Sequence, residues 1–465
     1  MKITKCKGGQ KGSAQWPIAC HRCRNQRIKC VRDPEKYGIN GPCVACCALP
    51  NGNSTKIEHW FPCITFGYKL HHIITYRAGN LGLTARFDHH KMANVPAVNP
   101  QEVFTIRITQ RLCAKPMVLE VHYFQPADSD KLDREFVANG VRQVQKLPPV
   151  CLHDVTEASK VFVKYVTENA LEAIRLAAQD DDSDDIIKEI FAMILFHLES
   201  LPVLAEYDNK QRDEKERGFL EKAIFHWFAI RLGLGSAKIC GPQTLNITPV
   251  SGYMPKHGLL SVPRMIIAQF DSIRHQTVYT KLDREVLMDL ERALLSGGKT
   301  QWFTVFLAMF LFLNIVSCSS RDRYRYVREN SQGQPLDTRY GKVGDPNTEY
   351  VEDLHYGAAM LLAHWDYFKR VDFASMTGKG LDPLEPYQHN FINYLSVRLQ
   401  QRIDTIPRSP LDGFWESDLA WVLRIFSPKT RKDDVWLPPP IFSQVKLSAG
   451  ELDEVGLDQR NDFVF

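Results

Sequence analysis

Seven of the twelve cysteines fall within residues 20 to 63: Cys20, Cys23, Cys30, Cys43, Cys46, Cys47 and Cys63. Cysteines clustered this densely form either disulfides or a metal site. The N-terminal stretch "MKITKCKGGQKGSAQW" has no apolar core of the kind that directs export, so a reduced compartment and metal binding are expected. The run "ACHRCRNQRIKC" (19–30) adds Arg22, Arg24, Arg27 and Lys29 among its thiols, with Arg32 just beyond. Metal-bound cysteines are anionic, so this basic lining either balances the site's own charge or faces a larger polyanion.

Two zinc schemes fit the spacing. In the first, Cys20, Cys23, Cys43 and Cys46 (C-x2-C-x19-C-x2-C) hold one tetrahedral zinc, as in protein-interaction adaptors; this leaves Cys30 unused and the basic run unexplained. In the second, six thiolates hold two zinc ions. Two tetrahedral ions need eight ligand positions, so two sulfurs must bridge. Each half is then a C-x2-C turn followed by a later cysteine, Cys20/Cys23/Cys30 and Cys43/Cys46/Cys63, and by that symmetry Cys20 and Cys43 are the bridges. The net charge of such a cluster is −2, which the surrounding arginines and lysine exceed. The surplus must face something else. Cys47 is a rival sixth ligand, though adjacent cysteines rarely reach one ion in good geometry, and His59 is a weaker rival.

"ACHRCRNQRIKC" and "GPCVAC" (41–46) resemble the two halves of the fungal-type six-cysteine binuclear zinc cluster of transcription factors. The gap from Cys46 to Cys63 is longer than that family usually has, but "HWFPC" (59–63) is similar to a subgroup whose cluster ends late in a W-x-x-P-C context. "RITQRLCAKPMVLEVHYFQPADSD", "HWFAIRLGLGSAKICGPQTLNI" and "LHYGAAMLLAHW" extend the resemblance into the same subgroup's helical regulatory region. The resemblance implies two Zn2+ ions on Cys20, Cys23, Cys30, Cys43, Cys46 and Cys63, and a short first helix that enters the major groove by its C-terminal end. Arg27 would then read guanine in a CGG-like triplet, with Gln26 its neighbour and Arg24 and Lys29 on the backbone; Arg22 and Arg32 complete the DNA-facing set. Gln26 stands where many members carry a second basic residue. The implied protein is a nuclear regulator of RNA polymerase II-type transcription, with no catalytic residues.

The elements that would position this site divide the 465 residues unevenly. Residues 1–90 carry 14 Lys/Arg against 4 Asp/Glu, while the remainder carries 44 against 50, so only the N-terminal end is a candidate for a polyanion. The expected organisation is a flexible basic leader (1–18), a zinc cluster module (19–70), a linker (71–100), a β-hairpin (101–125), an α-helical regulatory domain (150–430) and a disordered tail (431–465). "EVFTIRIT" and "MVLEVHYF" alternate as paired strands. Helical stripes recur at 159–178, 186–203, 280–295, 352–369, 388–404 and 415–426, most clearly in "ERGFLEKAIFHWFAIRLGLG". The fold class is therefore mainly α. Residues 319–353 are expected to form a mobile loop. "WFTVFLAMFLFLNIVSC" (302–318) is apolar but interrupted by Thr304 and Asn314, and a buried core helix is expected rather than a membrane span.

Other signals carry less. "ALLSGGKT" (293–300) has Ala293 where a phosphate loop needs its first glycine, and a helical pattern precedes it. His71-His72 and His89-His90 lack metal-ligand spacing. "DDDSDD" (180–185) reads as a loop and helix start. No nucleophile elbow or Cys/His catalytic set is visible. The implied partners are double-stranded DNA and transcription machinery or co-regulators. The absence of heptads leaves a homodimer open through the body's helices, and no membrane is expected. A second reading keeps one zinc and makes the chain an interaction adaptor.

Overall fold

The computed structural model describes residues 19–37, 42–49, 63, 70, 73, 82–138, 141–204, 210–235, 237–249, 259–295, 301–330, 346–373, 375–402 and 417–426. The expected leader, the expected tail, His59, His71, His72 and the glycines of "ALLSGGKT" lie outside these residues. Three short helices carry the N-terminal cysteines: α1 (His21–Asn25), α2 (Pro34–Tyr37) and α3 (Val44–Cys47).

Alternation of Ile106 and Ile108 against polar neighbours produces β1 (Phe104–Thr109). It pairs antiparallel with β2 (Met117–Tyr123) in the register Phe104↔Val121 and Ile108↔Met117, the expected hairpin. Three short strands from distant parts of the chain extend it: β5 (Val150–Leu152), β6 (Lys238–Cys240) and β7 (Leu260–Ser261), in the order β5-β2-β1-β6-β7. A separate ribbon pairs β3 (Asp133–Ala138) with β4 (Val141–Lys146).

The rest is helical. α4 (Val155–Ala177) starts where the Asp154 carboxylate accepts from the Thr156 and Glu157 amides, a conventional N-cap. α5 (Asp185–Leu204) follows the acidic run, whose Asp184 accepts from the Ile186 amide. α6 (Lys210–Arg231) ends where the Gln110 amide donates to the Leu232 and Gly235 carbonyls, both at 2.9 Å. α7 (Arg264–Arg274), an eight-residue π-helical stretch (His275–Leu282) and α8 (Asp283–Leu295) form one continuous rod. Then come α9 (Trp302–Asn330), α10 (Pro346–Lys369) and α11 (Pro386–Arg402).

α9 is the axis of the core. Its apolar segment is long enough to cross a membrane, yet it is entirely buried among the other helices. A polar group in such a setting is costly unless bonded. Thr304 meets His197 Nε2 at 2.7 Å, Asn314 accepts from Trp227 Nε1 at 2.9 Å and Ser320 meets His355 Nε2 at 2.6 Å. These bonds tie α9 to α5, α6 and α10.

Both ends of the expected 319–353 loop and the last expected helical stripe differ from the sequence expectation: residues 346–353 are the first turns of α10. Residues 319–330 continue α9, where Arg321 pairs with buried Asp418 and Ser320 bonds His355. Residues 417–426 form turns and a short 3-10 helix rather than an α-helix. Asp418 to Val422 are all buried, and the segment packs against α9 and α10.

The last residue of the expected zinc module and the stretch expected as a linker contribute to the body. Leu70 and Ile73 are buried in the main core, and the Leu70 amide donates to Glu291 on α8. Leu83, Met92 and Val95 pack with Phe124, Cys151 and Met265.

Candidate metal centre

Cys20 caps α1 and Cys43 precedes α3, so each C-x2-C pair is presented by the first turn of a short helix. The halves are joined where the Val44 amide donates to the Val31 carbonyl at 2.9 Å. Cys20, Cys23, Cys43 and Cys46 are buried with their sulfurs within 4.8 Å of one another, a set that can hold a metal ion. Cys20 Sγ lies 3.9 Å from Cys43 and 3.7 Å from Cys46, and Cys23 Sγ lies 3.6 Å from Cys43. Sulfurs bound at about 2.3 Å around a tetrahedral ion stand about 3.8 Å apart, so the spacing fits zinc.

Cys30 and Cys63 pack against these four. Their surroundings correspond: the Cys20 amide donates to Cys30 Sγ at 3.4 Å, and the Cys43 amide to Cys63 Sγ at 3.1 Å. The acidities differ across the group. The Cys20 thiol is lowered to about 5, chiefly by the Cys43 sulfur beside it. Cys43 is also lowered to about 5: Cys20 opposes this, but Cys46 and Cys63 outweigh it. Cys46 is lowered to about 6, first by Cys20. Burial raises Cys23, and Cys30 to about 11, while Cys63 is raised first by Cys20. Cys47, the last residue of α3, is half-buried.

The basic residues divide into two groups. Arg24, Arg27 and Lys29 are exposed. Arg27 has φ 56°, the left-handed conformation, just beyond the end of α1. Arg32 is half-buried. Arg22 turns towards the other half, with NH1 donating to the Ala45 carbonyl at 2.7 Å and Nε to Gln26 Oε1 at 3.2 Å. The Arg22–Gln26 pair could have been read from its i, i+4 spacing. The bond to Ala45 has no sequence signal, since a backbone carbonyl carries no residue identity.

A cysteine cluster able to hold a metal ion, in a basic N-terminal segment, precedes the sheet and the large helical body. The chain belongs to the KpeA transcription factor family, whose family model matches residues 78–374, well over half its length. The match covers the sheet and most of the helical body and begins after the cysteine cluster. No curated protein and no solved structure matches the chain.

Proposed function

We propose that this transcription regulator acts in the nucleus by binding DNA through residues 19–63, folded around two zinc ions on six thiolates, with Cys20 and Cys43 as the bridging ligands. Double-stranded DNA with a short GC-rich triplet is the partner; the body receives or relays regulation, contacts transcription machinery or co-regulators, and offers helices through which two copies could pair. The observation that carries this reading is the arrangement of sulfurs about Cys20 and Cys43. Cys20 and Cys43 contact each other and, between them, Cys23 in one half and Cys46 in the other, while Cys30 and Cys63 take equivalent amide donors. Arg24, Arg27 and Lys29 then supply the outward positive charge.

A second reading, one zinc in an interaction adaptor, is favoured by the closure of only Cys20, Cys23, Cys43 and Cys46 within 4.8 Å. Zinc content of the full-length chain separates the two. Two zinc ions per chain, falling in Cys63→Ser and in Cys30→Ser, support the bridged cluster. One zinc ion, unchanged by either substitution, overturns it and favours the adaptor.

A further inference from the structure

We propose that Arg22 is a positioning residue of the metal centre: from the first half it grips the second C-x2-C turn, so that metal affinity depends on a side chain that is not itself a ligand, a role that rests on the metal-binding reading above and holds for one ion or two. Arg22 and Ala45 occupy the same place in the two pairs, Cys20-His21-Arg22-Cys23 and Cys43-Val44-Ala45-Cys46. The joint between them is one-sided. One half supplies a cation and the other a backbone carbonyl.

α3 has only four residues, and the last carbonyls of any helix lack intrahelical donors. The Leu49 amide, which in a longer helix would bond Ala45, donates to the Cys46 carbonyl instead. Arg22 NH1 gives the Ala45 carbonyl a donor at 2.7 Å, while Nε donates to Gln26 Oε1 at 3.2 Å and holds the planar guanidinium in that orientation. The gripped carbonyl lies between the two cysteines of its turn. Cys46 Sγ stands 3.7 Å from Cys20 Sγ, and Cys43 Sγ 3.6 Å from Cys23 Sγ, separations that a shift of the turn would change. Outer-shell bonds of this kind orient metal ligands, and losing one costs about 10–100-fold in metal affinity. Arg24, Arg27 and Lys29 are exposed, whereas Arg22 is half-buried and turned to the other half, so its charge serves the thiolates.

Two measurements on the full-length chain test this: zinc affinity by competition with a chromogenic chelator, and, with zinc saturating, hydrogen exchange of the Val44 amide, which donates to Val31 across the same joint. Arg22→Ala should weaken zinc by about tenfold and speed Val44 exchange. Arg22→Lys, whose ammonium can still donate to the Ala45 carbonyl, should recover most of both. Lys36→Ala removes an exposed cation of the same module and should change neither. Wild-type zinc affinity in Arg22→Ala overturns the proposal; if that variant also has a shallower salt dependence of DNA binding, Arg22 is a phosphate contact instead. Weakened zinc with unchanged Val44 exchange, or an equal loss in Lys36→Ala, overturns it too, by making charge alone the cause. Where Arg22→Ala takes up no zinc at all, Arg22→Lys decides: zinc retained supports the grip, and zinc lost overturns it. A wild-type chain that binds no zinc refutes the metal-binding reading itself, an outcome distinct from all of these.

Discussion

Arg27 occupies a backbone conformation that L residues adopt at a cost of about 1 kcal/mol, and it does so where α1 stops. Its side chain and that of Lys29 are exposed and make no hydrogen bond or ion pair among the described residues. Two neighbouring cations of equal charge should nonetheless behave differently on DNA. Arg27→Ala should cost about 1–3 kcal/mol on the preferred site and relax selectivity there, because a guanidinium pairs bidentately with guanine. Lys29→Ala should weaken every sequence alike and reduce the salt slope by about one unit. Fluorescence anisotropy at several salt concentrations distinguishes them. Equal losses from Arg27→Ala on all sequences would make it another phosphate contact. At this scale the sequence was informative about residue types: thiols and cations carry their chemistry in their identity. The contacts of Arg22 were less legible, because Ala45 takes part only through its backbone.

The segment from 82 to 98 shows how an element can be anchored by a few polar contacts. Buried Asp130 accepts from Thr84 Oγ1 at 2.6 Å, from Arg86 Nε and NH2, and from the Ala127 amide. Burial opposes ionisation of the Asp130 carboxyl, but the Arg86 guanidinium and the other donors outweigh it and hold the group below its ordinary value of 3.8. A carboxylate depressed in this way stabilises the fold above that value, and the contribution is lost as pH falls through the folded value. Asp130→Asn should therefore destabilise by about 2 kcal/mol at neutral pH and speed hydrogen exchange in residues 82–98. Unchanged exchange there would show that Met92, whose amide donates to Ser272, and the apolar contacts hold the segment without it. Elements with a regular period were legible in advance: Ile106 and Ile108 marked β1, and the stripe of α6 marked a helix. Residues 319–330 and 417–426 were not, since pairing between Arg321 and Asp418 hides the polarity that usually signals a loop or a helix face. α7 was missed because its turn into the π-helical stretch shifts the apolar spacing, and β5 to β7 are too short to show a period.

Over the whole molecule, a basic head is joined to an acidic body by a short connection. Cys63 lies in the thiol cluster and Leu70 in the core against α8. Seven residue steps reach at most about 24 Å, so the body stays close to any DNA the head binds. That body depends on buried histidines remaining neutral. His197 bonds Tyr387 through Nδ1 at 2.8 Å and Thr304 through Nε2 at 2.7 Å, and the Thr304 hydroxyl donates onward to Glu216. Nε2 must then donate, and in the neutral ring Nδ1 accepts from the Tyr387 hydroxyl. Burial lowers His197 from 6.5 to about 4, and likewise His364, whose Nδ1 faces the Met360 carbonyl. A base with a depressed folded value stays unprotonated while the unfolded chain takes up a proton, so stability is complete above 6.5 and falls as pH drops towards 4. Burial also lowers His122 and His275, which act in the same direction. Urea unfolding between pH 7 and 4.5 should show this decline, and His197→Gln should reduce its slope by one proton, about 1.4 kcal/mol per pH unit. A slope that His197→Gln leaves intact would mean that this imidazole takes up a proton within the fold, with Nδ1 then donating to the Tyr387 hydroxyl oxygen.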